Sequence, residues 1–208
     1  MKTSEQVREE QSQRIFWVIQ TVFSVLLARS IFENKELIIH PFSLSTLGLL
    51  LVYGTVLWSW IDYSYTTIVS PYRFDKGGWE RPRFVVDLAI VISYAYLLFA
   101  LTGFQADNSA NISALFNCLA AVFFLYAVSG GLRMVQYGRR ASRIKLIMMY
   151  FLAYWALSIS YARLYPRVAD KTLLNTIHIS IAILLMISYR MIRTRLAFRK
   201  IPGPAATK

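Results

Sequence analysis

Cysteine is almost missing from this chain of 208 residues: Cys118 stands alone, which excludes an intramolecular disulfide framework. Histidine occurs only at His40 and His178, with no carboxylate or cysteine at ligand spacing to either, so no metal centre is expected. His40 falls in a connector between hydrophobic runs, which excludes an ordinary bis-histidine haem site, and no other cofactor is expected. Acidic residues are scarce, 11 against 23 Lys and Arg, giving a formal net charge of +12. Charged residues of both signs make up only 16% of the chain, whereas 56% is hydrophobic and the mean hydropathy is +0.45. That is more apolar surface than one small soluble core buries, and a bilayer is the solvent that accepts it.

Hydrocarbon about 30 Å thick takes roughly 20 helical residues to cross. Six runs are suited to it: Ile15 to Phe32, Ser43 to Val69, Phe84 to Phe104, Ile112 to Tyr137, Ile144 to Tyr165 and Leu173 to Ile192. Lipid offers backbone groups no water partner, so each run is expected to be a helix. The fold class expected is an all-α integral membrane protein with six transmembrane helices over residues 15–192. A polar segment, 1–14, precedes it and a basic tail, 193–208, follows, with no separate soluble domain expected. Arg29 and the lack of a small-residue cleavage site argue against reading the first run as a cleaved signal. No repeat of three helices is visible, which disfavours an inverted-repeat transporter.

Basic residues sort by side. Eighteen fall before run one, around the connector of runs two and three, around that of runs four and five, and at or after the end of run six, with Arg133, Lys145 and Arg190 just inside the runs, against five at the other ends. The positive-inside rule then makes both termini cytoplasmic, in a membrane expected to be the bacterial inner membrane. On that face lies the hairpin SPYRFDKGGWERPRF, residues 70–84, where four basic residues sit with Tyr72, Phe74 and Trp79 between Pro71 and Pro82. One reading is interfacial anchoring, with arginine on lipid phosphate and aromatics in the headgroup belt. The other is an anion site in which Arg73, Trp79, Arg81 and Arg83 converge with Arg139, Arg140 and Arg143 of the next cytoplasmic loop. Guanidinium forks bind a phosphate while an aromatic face stacks on a base.

Ionisable residues inside a span are costly and mark structure or function. Asp62, Asp87, Arg133 and Arg190 fall near one depth, at the cytoplasmic edge, and are expected to form ion pairs that hold helices two, three, four and six in register. Helix four carries Ser113, Asn117, Ala120, Ala127 and Gly131 toward one face, a spacing that suits close helix packing or a pore lining.

Ser129 and His178 occupy helices four and six, as the catalytic pair does in rhomboid proteases, but AVSG replaces glycine-x-serine-glycine and the expected topology separates the two in depth. KGGWERP resembles the first motif of the type 2 phosphatidic acid phosphatases, with its lysine-to-arginine spacing two residues short and no later histidine motif. No lysine at mid-membrane offers a retinal Schiff base, and no catalytic role is assigned to any residue. By architecture and charge, the chain resembles small bacterial membrane effectors of antiviral defence that open when a nucleotide second messenger binds. That resemblance implies a homo-oligomeric, ligand-gated channel with an anionic ligand, nucleotide or lipid headgroup, at the cytoplasmic face. The alternative is a non-conducting accessory or assembly subunit that docks an acidic partner or anionic lipid; a small transporter or intramembrane enzyme comes third. Anionic headgroups are expected partners, and DNA or RNA polymers are not. Reporter fusions at Asp107 and Lys208 should report opposite sides of the membrane; a common side would overturn the six-span topology.

Overall fold

A computed structural model describes residues 4–35, 43–69, 79–100, 109–137 and 142–198. Among them the chain is all helical: α1 (Ser4–Glu33), α2 (Leu44–Val69), α3 (Glu80–Ala100), α4 (Ser109–Tyr137), α5 (Ser142–Leu164) and α6 (Lys171–Phe198). Four of these are long and apolar enough to cross a membrane, over Leu44–Ser64, Asn111–Val135, Ile144–Leu164 and Lys171–Thr194. α1 and α3 are more polar. Gln20, Thr21, Ser24 and Arg29 interrupt the apolar part of α1, and α3 opens on Glu80, Arg81, Arg83 and Asp87.

Helix ends follow local chemistry. Ser43 caps α2, its Oγ accepting from the Thr46 amide at 3.1 Å, and Asp170 caps α6 by accepting from the Leu173 amide at 2.9 Å. α3 begins before Pro82 rather than after it. The Arg83 amide donates to the Trp79 carbonyl at 3.1 Å, which leaves Pro82 within the first turn, where a missing N–H costs nothing. Arg81 and Arg83 are therefore helical residues pointing in different directions and not parts of one loop. α1 also starts earlier than its apolar run, at Ser4, and α6 carries the basic tail on as helix to Phe198.

α4 is the central strut, packed most extensively on α5 and then on α3, while α2 lies against α6 and α1 against α3. Phe123 of α4 stacks on Tyr154 of α5 at 5.1 Å between centroids and meets Tyr189 of α6 edge-on at 5.1 Å. α5 turns Tyr150, Tyr154, Leu157 and Tyr161 inward, a four-three-four spacing that keeps them on one helix face. Each tyrosine hydroxyl on that face reaches α6. Tyr150 pairs with Ser188 at 2.7 Å, Tyr154 donates to the Ala182 carbonyl at 3.0 Å, and Tyr161 donates to Asn175 at 2.9 Å. In lipid such bonds contribute about 0.6 kcal/mol each on average. His178 adds a fourth tie, with Nε2 3.2 Å from Ser160 Oγ while Nδ1–H donates to the Leu174 carbonyl at 2.9 Å. The other face of α6 presents Ile177, Ile181, Leu184, Ile187 and Met191, all exposed.

The five residues named on α4 differ in burial along its length. Ala120 and Ala127 are buried, Ser113 is half-buried, and Asn117 is exposed while accepting from Ser158 Oγ at 2.6 Å. A Cβ on Gly131 meets nothing within 4 Å, so no close approach depends on it. Gly54 of α2 differs: a Cβ there comes within 3.0 Å of Met186 Sδ and Cε on α6. Gly131→Ala should leave stability unchanged or raise it by up to ~1 kcal/mol. Gly54→Val should cost ~1–3 kcal/mol by displacing the Met186 thioether and overfilling the contact of α2 with α6. Thermal unfolding in detergent measures both.

Candidate functional site

Polar residues gather where α2, α4 and α6 finish and α3 and α5 begin. Helical spacing brings them together: Asp87, Ile90, Val91 and Tyr94 line one side of α3, and Tyr126, Ser129 and Arg133 line one side of α4. Asp87 is 2% exposed. Its carboxylate accepts from Ser129 Oγ at 2.7 Å and from Arg133 Nη2 at 3.2 Å, and Arg83 Nε lies 3.8 Å away. Arg83 is fully buried, one turn before Asp87 on the same helix. Desolvating a carboxylate costs several kcal/mol, and charged donors from two helices offset that cost.

A second cluster joins α2 to α6. Asp62 pairs with Arg190 and, at 2.7 Å, with Arg193. Arg190 also donates to the Trp58 carbonyl and lies 5.4 Å from the centre of the Trp58 ring. Arg193 donates to the Tyr189 hydroxyl at 3.0 Å, which ties the cluster to the aromatic core.

Between the two clusters is a cavity of about 120 Å³, reached by Asp62 and Ser59 from α2, Asp87 and Tyr94 from α3, Arg133 from α4 and Arg193 from α6. An open groove between α2 and α6, lined by Trp58, Asp62, Ile187 and Arg190 among others, shares Asp62 with the cavity.

The four intramembrane charges named from sequence fall into these two clusters, Asp87 with Arg133 and Asp62 with Arg190. The seven residues of the expected anion site do not behave as one group. Arg73, Arg139 and Arg140 lie outside the described residues, and Arg143 is in the first turn of α5 with its side chain outside the description. Trp79 and Arg81 are exposed at the start of α3, whereas Arg83 turns inward to Asp87. Sequence reading missed Ser129 as the donor to Asp87, Arg193 as a second partner of Asp62, and Tyr94 and Tyr126 as cavity residues. The signal was present in the spacing: Tyr126, Ser129 and Arg133 recur at three and four residues, as polar groups sharing a helix face must.

Fold and site together define an all-helical chain of membrane-protein character organised around buried ion pairs. No family model matches it, and no characterised protein or solved structure is significantly similar to it. Asp87→Ala takes the carboxylate from Arg133 and from buried Arg83, and a loss of ~3–5 kcal/mol is expected. Adding Arg133→Met should recover part of it, measured as a double-mutant cycle by unfolding in detergent.

Proposed function

We propose that the protein is a six-span, homo-oligomeric membrane channel tuned by an anionic ligand at its cytoplasmic face, where both termini lie. The observation that carries this reading is the divergence of two arginines on the first turn of α3. Arg81 is exposed beside exposed Trp79, and Arg83, two residues on, is buried against Asp87. An anion held by Arg81 and the ring of Trp79 acts on the end of a helix whose next turn grips Ser129 and Arg133 of α4. Surface binding is thus passed to the α3–α4 interface through Asp87. Arg83 is the relay, because it shares the first turn of α3 with Arg81, so a shift of that turn on anion binding changes its approach to Asp87.

Supporting an oligomer, the core of the single bundle is filled by Phe116, Leu119, Ile179 and their neighbours, so a conducting path runs between copies. Exposed Asn117 on α4 is a polar group that a second copy would cover. The ligand class is a phosphate-bearing molecule with a stacking ring, of which a cyclic oligonucleotide is the leading example and an inositol phosphate the competitor.

Purified protein in planar bilayers, with and without cyclic oligonucleotides or inositol phosphates, tests this. Ligand-dependent conductance is expected, and Arg81→Lys or Trp79→Ala should weaken the response about tenfold while insertion survives. Saturable binding without conductance would assign the accessory-subunit role instead.

A further inference from the structure

We infer that the cavity between α2, α3, α4 and α6 is a binding site for one small neutral molecule, a lipid-soluble ring that carries a carbonyl oxygen. This inference is separate from the surface ligand and holds whether or not the chain conducts. Charge sets the first limit. The charged residues that line the space are Asp62, Asp87, Arg133 and Arg193, two of each sign, so their formal sum is zero and neither an anion nor a cation finds a surplus counter-charge there. Each carboxylate is already held, Asp87 by Ser129 and Arg133 and Asp62 by Arg190 and Arg193.

Donors, by contrast, are left over. Tyr94 is 3% exposed, lines the cavity, and its hydroxyl makes no hydrogen bond. Arg133 Nε is buried and likewise makes none, although Nη2 of the same guanidinium holds Asp87. The Tyr126 hydroxyl, on a ring whose centroid is 6.5 Å from that of Tyr94, lies near the Ser59 side chain but makes no hydrogen bond of normal geometry. The polar atom of the ligand is therefore an acceptor, and a carbonyl oxygen accepts without bringing a donor that would need a partner of its own. Tyr94, the most deeply buried of the three residues, is the donor assigned to it.

The rest of the wall is apolar. Ile90, Val91, Met134, Ile144 and Ile147 line the space together with the ring of Trp60. Water would need about four molecules at roughly 30 Å³ each to fill about 120 Å³, and each needs several polar partners that this aliphatic wall does not offer. Apolar cavities only slightly larger, about 150 Å³, stay dry and take up benzene, so a single small ring matches the space and a nucleotide does not. The groove between α2 and α6 shares Asp62 with the cavity, which gives a lipid-soluble molecule a route in from the side.

The test uses the full chain in neutral detergent, with cyclohexanone as the probe and methylenecyclohexane, in which a CH₂ group replaces the carbonyl oxygen, as its control. Thermal midpoint and the carbonyl carbon-13 shift of labelled cyclohexanone are the readouts. A saturable rise in midpoint and a saturable downfield shift are expected with the ketone, and a weaker rise with the hydrocarbon. Tyr94→Phe removes one donor and no ion pair; it should fold as well as the parent without ligand, because a buried hydroxyl without an acceptor is lost at no cost. It should weaken cyclohexanone binding about fivefold, the worth of one neutral hydrogen bond, and leave methylenecyclohexane unaffected. Tyr126→Phe should act in the same direction, and benzoate, an anion of similar shape, should not compete. No saturable response to cyclohexanone, an equal response to methylenecyclohexane, competition by benzoate, or equal ketone affinity in the parent and both tyrosine variants would overturn the site and leave the cavity to water.

Discussion

Carboxylates set within an apolar helical bundle persist only where cations meet them, and in this protein that requirement fixes which helices touch. Asp87 binds α3 to α4, and Asp62 binds α2 to α6. Neither link is strong evidence of net stability, because replacing a buried pair by apolar groups is often neutral or favourable. Their effect is on arrangement. An apolar helix in lipid gains little by choosing one neighbour over another, whereas a carboxylate that misses its arginine loses several kcal/mol, so wrong registers are rejected.

The remaining helix contacts are aromatic and finer in grain. Phe123 at the middle of α4 is flanked by Tyr150, Tyr154 and Tyr189, which come from α5 and α6. Their hydroxyls lie at the rim of that cluster and bond to α6 or receive Arg193. One cluster thereby packs three helices and carries the Asp62 network into the core. Because Tyr189 serves both the aromatic cluster and Arg193, a shift of the last turns of α6 is felt at Phe123.

Much of this was legible in the chain and some was not. Helix number and approximate limits followed from apolar run length, and the acidic and basic partners followed from their common depth. Inward and outward faces did not follow from hydrophobic periodicity, because lipid accepts apolar side chains as readily as a core does. Ile181 and Leu184 are exposed on α6 while Ile179 is buried, and nothing in their type separates them. Polar spacing carried the information instead: tyrosines mark the inward face of α5, and Ser129 with Arg133 that of α4. The split of Arg81 from Arg83 was hidden because Pro82 reads as a loop residue, although a proline in a first helical turn is at ease there.

Asp62 belongs both to the internal cavity and to the outer groove. At that point the two spaces meet at a carboxylate that Arg190 and Arg193 hold. Loss or exchange of those ion pairs would join the two spaces sideways between α2 and α6, a change of side chains with no requirement that either helix move.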